Sequence, residues 1–349
     1  MGLIKIKLNE LGNFCNSNLF QSFSVKPISP LRVKSYLGNP RANPNDTVLY
    51  MYVENGELIA FRTILSDSID NINFGWCSGN WVNPAFRGKK ISVKLFNEVA
   101  KDWENRLMFT NYAPASEHNY INTKQFKILK YRTGRRFYLY PNFSEILKGR
   151  KTILSPILPL LSALTGSISF LKSLFTSNKL PKFKELETLD DDCREILRNS
   201  AKTFFNRKET ELDWIINFPW ITPEKHSDFV YPFSYSEINY SLKIVKIYDA
   251  DIFAGFFVYT ILNAKMKIIY HFVEDEIMDL LLNVVATLAR RNKISYLTIL
   301  EPALAMRFQK IKHGFAFSKQ ANSHIYSSLN IENNQHLTIF DGDGDNAFT

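Results

Sequence analysis

A short basic turn in front of an amphipathic helix is the stretch of this sequence best suited to chemistry. It reads Arg87-Gly88-Lys89-Lys90-Ile91-Ser92 and follows a predicted strand that ends at Val82. The first turn of a helix has unpaired amide N–H groups and a partial positive charge. The glycine and the basic side chains therefore predict a site for a phosphate or pyrophosphate. A solvated basic turn before an ordinary helix is the alternative that the basic residues alone leave open.

The wider context of this turn resembles the GNAT superfamily of acyl-CoA-dependent acyltransferases. In that family the pattern V-x-P-x-x-R-G-x-G-I-G joins the fourth strand to a helix. Lys90 stands where the second glycine is expected, and Ser92 where glycine or alanine is expected. The resemblance covers residues 45–140 and is one of topology alone for 195–330. The matching positions are Val82, Pro84, Arg87, Gly88 and Ile91.

The resemblance implies that acetyl-CoA or another acyl-CoA is the co-substrate. By position, the backbone of Trp81 and Val82 would bind the pantetheine arm, and Arg87–Ser92 would hold the pyrophosphate. Asn111 would bond the arm where the strands part. The implied chemistry is direct attack of an acceptor amine on a thioester. It needs a base for the ammonium proton and an acid for the leaving thiolate.

Four residues after the next predicted strand are candidates for this acid–base chemistry. Tyr120 stands where the family often has its acid, ahead of Tyr112 as a second candidate. Glu117 and His118 are the candidate bases, and an imidazole titrates near neutral pH. Packing of Tyr120 in the core and a surface position for His118 are the alternatives.

The elements around the turn predict a mixed α/β fold. Two β-rich runs, Val48–Val53 and Leu58–Leu65, meet at Asn55-Gly56, which is a strong hairpin signal. The predicted helix over residues 91–104 has apolar residues at steps of four on one face. The second half repeats this plan, since "RLMFTNYAP" follows the first long helix and "YLTILEPAL" the second. We expect two tandem GNAT-like domains, each a mixed, mostly antiparallel sheet flanked by helices.

The predicted domain boundaries follow from this repeat. Residues 1–147 form an acyl-CoA-binding domain, 148–180 an amphipathic helical linker, 181–334 a degenerate GNAT-like domain and 335–349 a C-terminal tail. In the second copy the turn at Glu274–Glu276 has carboxylates and no glycine, so it would repel a pyrophosphate. We expect one CoA per chain, in the first half. The tail contains DGDGD at 341–345 and is predicted to be flexible.

The linker contains an uncharged stretch, Thr152–Leu171, with basic residues on both sides. Its pattern predicts an amphipathic helix. Three interpretations remain open: packing between the two domains, an interfacial helix on an anionic membrane surface through residues 150–178, and a membrane span. The apolar residues recur at alternating steps of four and three: Ile153, Ile157, Leu161, Leu164, Ile168, Leu171 and Phe175.

Composition limits the function classes. The chain has 349 residues, 45% of them hydrophobic, so two folded domains are expected rather than disorder. A net charge of +9 attracts anions of several kinds. The three isolated cysteines predict a reduced, cytoplasmic setting without a metal site, at the inner face of a membrane if the linker binds lipid. Arg32, Lys34 and Arg41 are predicted on a solvated helix face, with binding of an acidic or phosphorylated acceptor group as the alternative.

The sequence therefore predicts an N-acyltransferase, an acetyltransferase in type, that modifies an amine of a small molecule or a cell-envelope precursor. A non-catalytic CoA-binding module and an aminoacyl-tRNA-dependent transferase of tandem GNAT fold are the alternatives. No recognition helix or stacking platform predicts specific binding of nucleic acid. Acyl chain length and oligomeric state are left open.

Overall fold

A computed structural model of the chain describes residues 2–110, 117, 120–147, 155–173, 181–224, 230–311, 314–331 and 337–348. The described residues form two seven-stranded sheets with helices packed on them. The strands of the first sheet are β1 (Gly2–Lys7), β2 (Thr47–Glu54), β3 (Glu57–Ile69), β4 (Ile72–Val82), β5 (Leu107–Thr110), β6 (Lys127–Lys130) and β14 (Ile325–Ser327). The strands of the second sheet are β7 (Thr133–Tyr138), β8 (Lys182–Leu186), β9 (Tyr240–Asp249), β10 (Ile252–Leu262), β11 (Lys265–Val273), β12 (Tyr296–Ile299) and β13 (Phe317–Asn322).

The helices lie mainly before β2, between β4 and β5, and in the corresponding places of the second half. They are α1 (Leu8–Cys15), α2 (Asn18–Ser22), α3 (Pro30–Leu37), α4 (Ile91–Asp102), α5 (Phe143–Ile146), α6 (Leu158–Ser173), α7 (Asp191–Asn199), α8 (Glu209–Asn217), α9 (Met278–Arg291) and α10 (Pro302–Lys310).

Both sheets have the same arrangement. Their strand orders are β1-β2-β3-β4-β5-β14-β6 and β8-β9-β10-β11-β12-β7-β13. Neighbouring strands are antiparallel except for one parallel pair in each sheet, β4 with β5 and β11 with β12. This confirms the predicted fold class of two tandem mixed, mostly antiparallel sheets.

Local signals in the sequence act as expected. The Ser29 hydroxyl caps α3 by accepting a bond from the Arg32 amide, with Pro30 in the first turn. Asn55 and Gly56 both have positive φ, 52° and 80°, as a tight hairpin turn between β2 and β3 requires. On α4 the apolar face, Ile91, Leu95, Val99 and the adjoining Trp103, is buried under the first sheet.

The two halves exchange one strand each, which the predicted boundaries at 147 and 334 did not anticipate. Strand β7 comes from the first half but pairs with β12 and β13 in the second sheet, while β14 inserts between β5 and β6. The crossing segments lie side by side. The Arg132 amide donates to His324 Nδ1 at 3.2 Å, and the Ser323 amide donates to the Arg132 carbonyl at 2.9 Å. A sequence division at residue 147 therefore does not separate the sheets.

A buried ion cluster joins the two halves. The carboxylate of Asp67 on β3 accepts bonds from Arg207 Nη1 and Nη2 at 2.9 and 2.5 Å and from Trp76 Nε1 at 2.8 Å. Arg41 Nη1 lies 3.3 Å from the same carboxylate, and its Nε donates to Glu211. Burial acts to raise the pKa of Asp67, but Arg207 and Arg41 hold it below its ordinary value. The prediction of a solvated position for Arg41 is wrong, because this network buries its guanidinium.

The C-terminal segment (residues 339–348) packs inside the protein rather than forming the flexible tail that was predicted. Its apolar residues insert between the halves, and the Phe348 ring stacks on Trp220 with centroids 4.7 Å apart. The Trp220 amide also donates to the Phe348 carbonyl. Burial of these rings fixes a segment whose polar composition alone is typical of a solvated tail.

Helix α6 does not pack its apolar face between the halves. Ile157, Leu164, Ile168 and Leu171 are exposed, so this interpretation of the linker is wrong for its described part. Among the helices that the structure describes, none is long and apolar enough to cross a membrane.

Candidate functional site

The candidate site lies where β4 and β5 separate. These parallel strands pair only at Gly75 with Leu107 and at Trp76 with Met108. From Cys77 onward, no described strand pairs with this edge of β4, while its other edge stays paired with β3. Trp81 and Val82 lie in this part of β4, where the Val82 carbonyl accepts from Arg87 Nε at 3.3 Å. Unpaired backbone groups on such an edge can bind an extended ligand in the manner of an added strand.

A β-bulge shapes this edge of the cleft. Thr63 of β3 pairs with Gly79 and Ile64 pairs with Cys77, which leaves Ser78 as the extra residue of β4. The Ser78 hydroxyl forms a 2.7 Å bond with the Tyr36 hydroxyl, and its carbonyl accepts from Arg32 Nη1 at 3.2 Å. Residues of α3 thus hold the bulge in place.

The basic turn lies at the end of the free edge and begins α4. Lys90 is the N-cap residue, in the left-handed conformation with φ 57°, and no side chain caps the helix. Gly88 also has positive φ, 81°, and a β-carbon added there would meet no atom within 4 Å among the described residues. Gly88 thus borders open space beside exposed Arg87, Lys89 and Lys90, and of the first-turn amides of α4 the Val93 N–H already donates to the Lys90 carbonyl.

Lys90 and Ser92, the two departures from the GNAT pattern, have different consequences. At Lys90 a glycine would adopt φ 57° freely, whereas a lysine pays about 1–2 kcal/mol. The lysine side chain is exposed, so it leaves the backbone path clear. Ser92 instead contributes bonds, from its hydroxyl to Asn80 Oδ1 and from Arg62 Nη2 to its hydroxyl, both at 3.2 Å.

Arg62 connects this turn to the candidate acid, and sequence reasoning missed it. Its side chain is 2% exposed, in the middle of β3. Nη2 bonds Ser92 in the first turn of α4, and Nη1 donates a short hydrogen bond to the Tyr120 hydroxyl. In the sequence, an arginine in the middle of a mostly apolar predicted strand is the signal that could have identified it.

Tyr120 is buried among aromatic rings but directs its hydroxyl to the cleft. Its ring lies 4.4 Å from that of Phe109 and 5.4 Å from that of Phe96. Burial raises the pKa of Tyr120 well above its usual value, against the opposing effect of Arg62. Because the Arg62 N–H donates to the phenol oxygen, the hydroxyl hydrogen can itself be donated, and the Cys77 sulfur beside it is one acceptor within reach. The structure thus supports both packing of the ring and a polar role for its hydroxyl.

A cleft of about 570 Å³ opens beside the free edge of β4. Buried Arg32 lies on one wall, with its guanidinium 3.8 Å from the centroid of the Trp220 ring. The predicted solvated position of Arg32 is therefore wrong. The cleft is lined by Arg32, Cys77, Ser78, Gly79, Asn80, Thr110, Tyr120, Trp220, Ile221, Pro232, Phe233, Ser234, Leu262 and Asp345.

Asp345 of the C-terminal segment supplies the carboxylate in this cleft. Its Oδ1 accepts from the Thr110 hydroxyl at 3.2 Å, at the end of β5. Burial raises the pKa of Asp345 to about 6, while Arg32, the Thr110 bond and Lys267 act to lower it. A carboxyl group with this pKa can exchange a proton near neutral pH. Sequence reasoning missed this role because it treated the segment as solvated.

The C-terminal segment also fills the corresponding separation in the second sheet. Strand β11 pairs with β12 only over Lys265–Lys267. Beyond that point the Gly342 amide donates to the Ile269 carbonyl at 2.8 Å, and Asp341 Oδ2 accepts from the Leu300 amide at 2.7 Å. A β-carbon at Gly342 would lie 2.6 Å from the Tyr270 ring, so this space is closely occupied.

The acidic turn of the second half is engaged as well. Arg307 pairs with Asp275 at 2.7 Å and with Asp279 at 2.6 Å. Together with the filled separation, this provides a second physical reason to expect one CoA per chain. The prediction rested on the acidic charge of this turn and on its lack of a glycine.

The remaining predicted site residues lie apart from the cleft or outside the described residues. Glu117 Oε1 accepts from the Tyr326 hydroxyl at 2.6 Å and is not among the residues that line the cleft. Its role as a base stays a prediction. Asn111, Tyr112 and His118 lie outside the described residues. Within the described ranges, no group of three or more His, Cys, Asp or Glu side chains is arranged to hold a metal ion.

Solved structures similar to this chain include a tandem GNAT protein from the clavulanic acid biosynthesis pathway, with a TM-score of 0.48 and 10% identity over 95% of this chain and 99% of that one. The N-myristoyltransferase of Saccharomyces cerevisiae with bound myristoyl-CoA gives 0.47 and 10% over 81% and 70%. A GCN5-related N-acetyltransferase from Kribbella flavida gives 0.44 and 12% over 93% and 70%. Neither a protein-family model nor a curated protein sequence matches the chain. Because these TM-scores are below 0.5, the function has to be inferred from the cleft and helix turn of this chain.

Proposed function

We propose that this protein is an acyl-CoA-dependent N-acyltransferase that modifies an amine of a small molecule or a cell-envelope precursor. The observation that carries the proposal is the uncapped, basic start of α4 at the end of the free edge of β4. This arrangement offers backbone donors for a pyrophosphate directly beside an unpaired strand edge for an extended arm.

The residues of this turn and edge fit the parts of acyl-CoA. The first-turn amides with Arg87, Lys89 and Lys90 would bind the pyrophosphate, and the backbone of Trp81 and Val82 would bind the pantetheine arm. When bound, acyl-CoA supplies a thioester carbonyl that an amine can attack.

Asp345 is the base in this proposal. Its carboxylate lies in the cleft, and its pKa of about 6 leaves it ionised at neutral pH, yet close enough to neutrality for proton transfer. It takes a proton from the acceptor ammonium group. The low polarity around the carboxylate, which raises the pKa, also makes it a stronger base than a solvated aspartate.

Tyr120 is the acid. Its raised pKa keeps the phenol protonated, and the bond from Arg62 fixes the oxygen, so that the hydrogen can turn from the neighbouring Cys77 sulfur to the substrate. The hydroxyl therefore can donate a proton to the leaving sulfur or a hydrogen bond to it. Arg62 is a positioning residue, since it holds Tyr120 and the start of α4 in one arrangement.

Cys77 supports direct transfer over an acyl-enzyme route. It lines the cleft, but burial raises the pKa of its thiol. A protonated thiol is a poor nucleophile, so the acceptor amine rather than Cys77 is expected to attack.

The test compares two charge reversals on α4. Lys90→Glu places a carboxylate at the helix start and is expected to weaken binding of acetyl-CoA by tenfold or more, on the order of 1–2 kcal/mol. Lys101→Glu makes the same charge change in the last turn, about 16 Å away, and should bind as the wild type does. Binding is measured by titration calorimetry, and turnover by thiol release over a panel of primary amines.

Each outcome separates the alternatives. Binding that depends on Lys90, with thiol release for at least one amine, supports the acyltransferase. Binding without release for any amine favours the non-catalytic CoA-binding module. Equal binding by both variants would contradict the assignment of the turn.

A further inference from the structure

Helix α6 is oriented with its apolar side outward. Ile157, Leu160, Leu164, Ile168 and Leu171 recur at steps of three and four and form one stripe, here called the apolar stripe, with exposures of 44–61%. Phe170 beside it is 57% exposed. Six of the fifteen exposed large apolar side chains among the described residues therefore lie within residues 157–171.

The opposite face of α6 holds the helix to the protein through polar contacts. Ser162 Oγ accepts from the Phe143 amide at 3.0 Å, and Ser169 Oγ donates to the Leu139 carbonyl at 2.6 Å. Thr165 and Ser169 are buried on this face. A helix of a water-soluble protein normally buries its apolar side and exposes its hydroxyl groups. In α6 Leu158 is buried, but the apolar stripe is exposed while Thr165 and Ser169 are buried, so the stripe is available to a partner.

The basic residues in the sequence around α6 indicate a partner with negative charge. Residues 146–184 contain no aspartate or glutamate. Lys172 lies in the last turn of α6, where its Nζ donates to the carbonyls of Phe315 and Ala316. The basic residues of this interval are Lys148, Arg150, Lys151, Lys172, Lys179, Lys182 and Lys184.

From these observations we infer that α6 is an interfacial membrane anchor, which inserts the apolar stripe among the acyl chains of a bilayer that contains anionic lipid. An exposed apolar face within a stretch of sequence that has basic and no acidic residues matches the two contributions that bind such helices to membranes. A second copy of the chain fits less well, because its own basic residues would meet these across the contact. The anchor would hold the protein at a membrane surface without crossing the bilayer.

The test uses the full chain and exposed residues only. Wild-type protein is mixed, in the absence of CoA, with vesicles of phosphatidylcholine alone or with phosphatidylglycerol, and bound protein is measured by flotation. Leu160→Ser/Leu164→Ser/Leu171→Ser is expected to lower the affinity for the anionic vesicles by roughly a hundredfold. Ile238→Ser/Ile252→Ser removes two apolar side chains that are 61% and 73% exposed elsewhere, and should float as the wild type does.

The outcomes are separable. Binding to anionic vesicles that falls with added salt and requires the apolar stripe supports the anchor. Failure of the wild type to float, equal flotation of the triple variant, or equal loss in the control variant would overturn it. Sedimentation that shows a dimer dissociated by the triple variant, without vesicle binding, would assign the stripe to self-association instead. Unchanged thermal melting of both variants excludes misfolding as the cause.

Discussion

Substitution of Asp345 by asparagine tests the proposed base directly. The amide keeps the size of the carboxyl group and an oxygen that can accept from the Thr110 hydroxyl, so the C-terminal segment should stay in place. It cannot take a proton. General-base contributions are typically about a hundred- to ten-thousand-fold, so kcat should fall by about that factor. KM for acyl-CoA should change little, because the helix start is untouched.

The pH dependence provides an independent readout. Burial raises the pKa of Asp345 to about 6, against Arg32 on α3, Thr110 on β5 and Lys267 on β11. Below this pKa the carboxylate gains a proton, and wild-type kcat/KM should fall about tenfold per pH unit. The variant should lack this limb. Its deficit should also shrink at high pH, where the acceptor amine loses its proton to solvent.

Asp343→Asn is the matched control for the Asp345 variant. Asp343 belongs to the same segment, is fully buried and has a pKa raised by burial to about 6, but it binds the Phe340 amide and does not line the cleft. Its variant should keep wild-type turnover. An Asp345→Asn enzyme with more than about a tenth of wild-type kcat, or with an unchanged acid limb, would refute the assignment.

Two further predictions concern stability. Asp67→Asn removes the counter-charge that is hydrogen-bonded to the buried Arg207 guanidinium and leaves only Asp343, 3.6 Å away; it should cost about 3–5 kcal/mol in urea unfolding. Asp70→Asn, which removes an exposed pair with Lys202, should cost about 0–1 kcal/mol. Because the pKa of Asp67 is lowered in the folded protein, its ionised form stabilises the fold above the ordinary pKa of 3.8, and this stabilisation is lost as the pH falls through the folded-state pKa. A stability difference between Asp67→Asn and the wild type that does not change with pH would contradict this. For Asp341 the dependence of folding stability on pH has the opposite sign. Burial raises its pKa to about 6, so the native state binds more protons than the unfolded chain between about 4 and 6, and stability is lost as pH rises through that window. The free energy of unfolding of Asp341→Asn relative to the wild type should therefore rise from pH 4 to about 6, and a flat or falling difference would show that Asp341 is not buried as described.

Much of the local structure could be predicted from the sequence. Asn55-Gly56 specified the first hairpin, Ser29-Pro30 began α3, and the four-residue spacing on α4 identified its buried face. These signals act over a few residues through turn geometry, capping and periodicity, so no distant contact is needed to interpret them. The basic turn was located for the same reason.

The parts of the site that the sequence did not show depend on distant contacts. Asp345 meets Thr110, 235 positions away in the chain, and its polar neighbours are typical of a solvated tail. Arg62 reaches Tyr120 and Ser92 only when β3, β4 and α4 pack together. A strand's alternation of side chains likewise does not specify which sheet edge it joins, which is why the exchange of β7 and β14 was missed.

Two similar α/β halves and a basic helix start that predicts an anionic ligand can be read from the amino-acid sequence without any structure. The position of the C-terminal segment, the carboxylate that enters the cleft and the outward side of α6 follow from three-dimensional packing alone. The physical reason is that periodicity records the two faces of an element. Which face is buried depends on the shape and polarity of the surface that the rest of the chain presents to it.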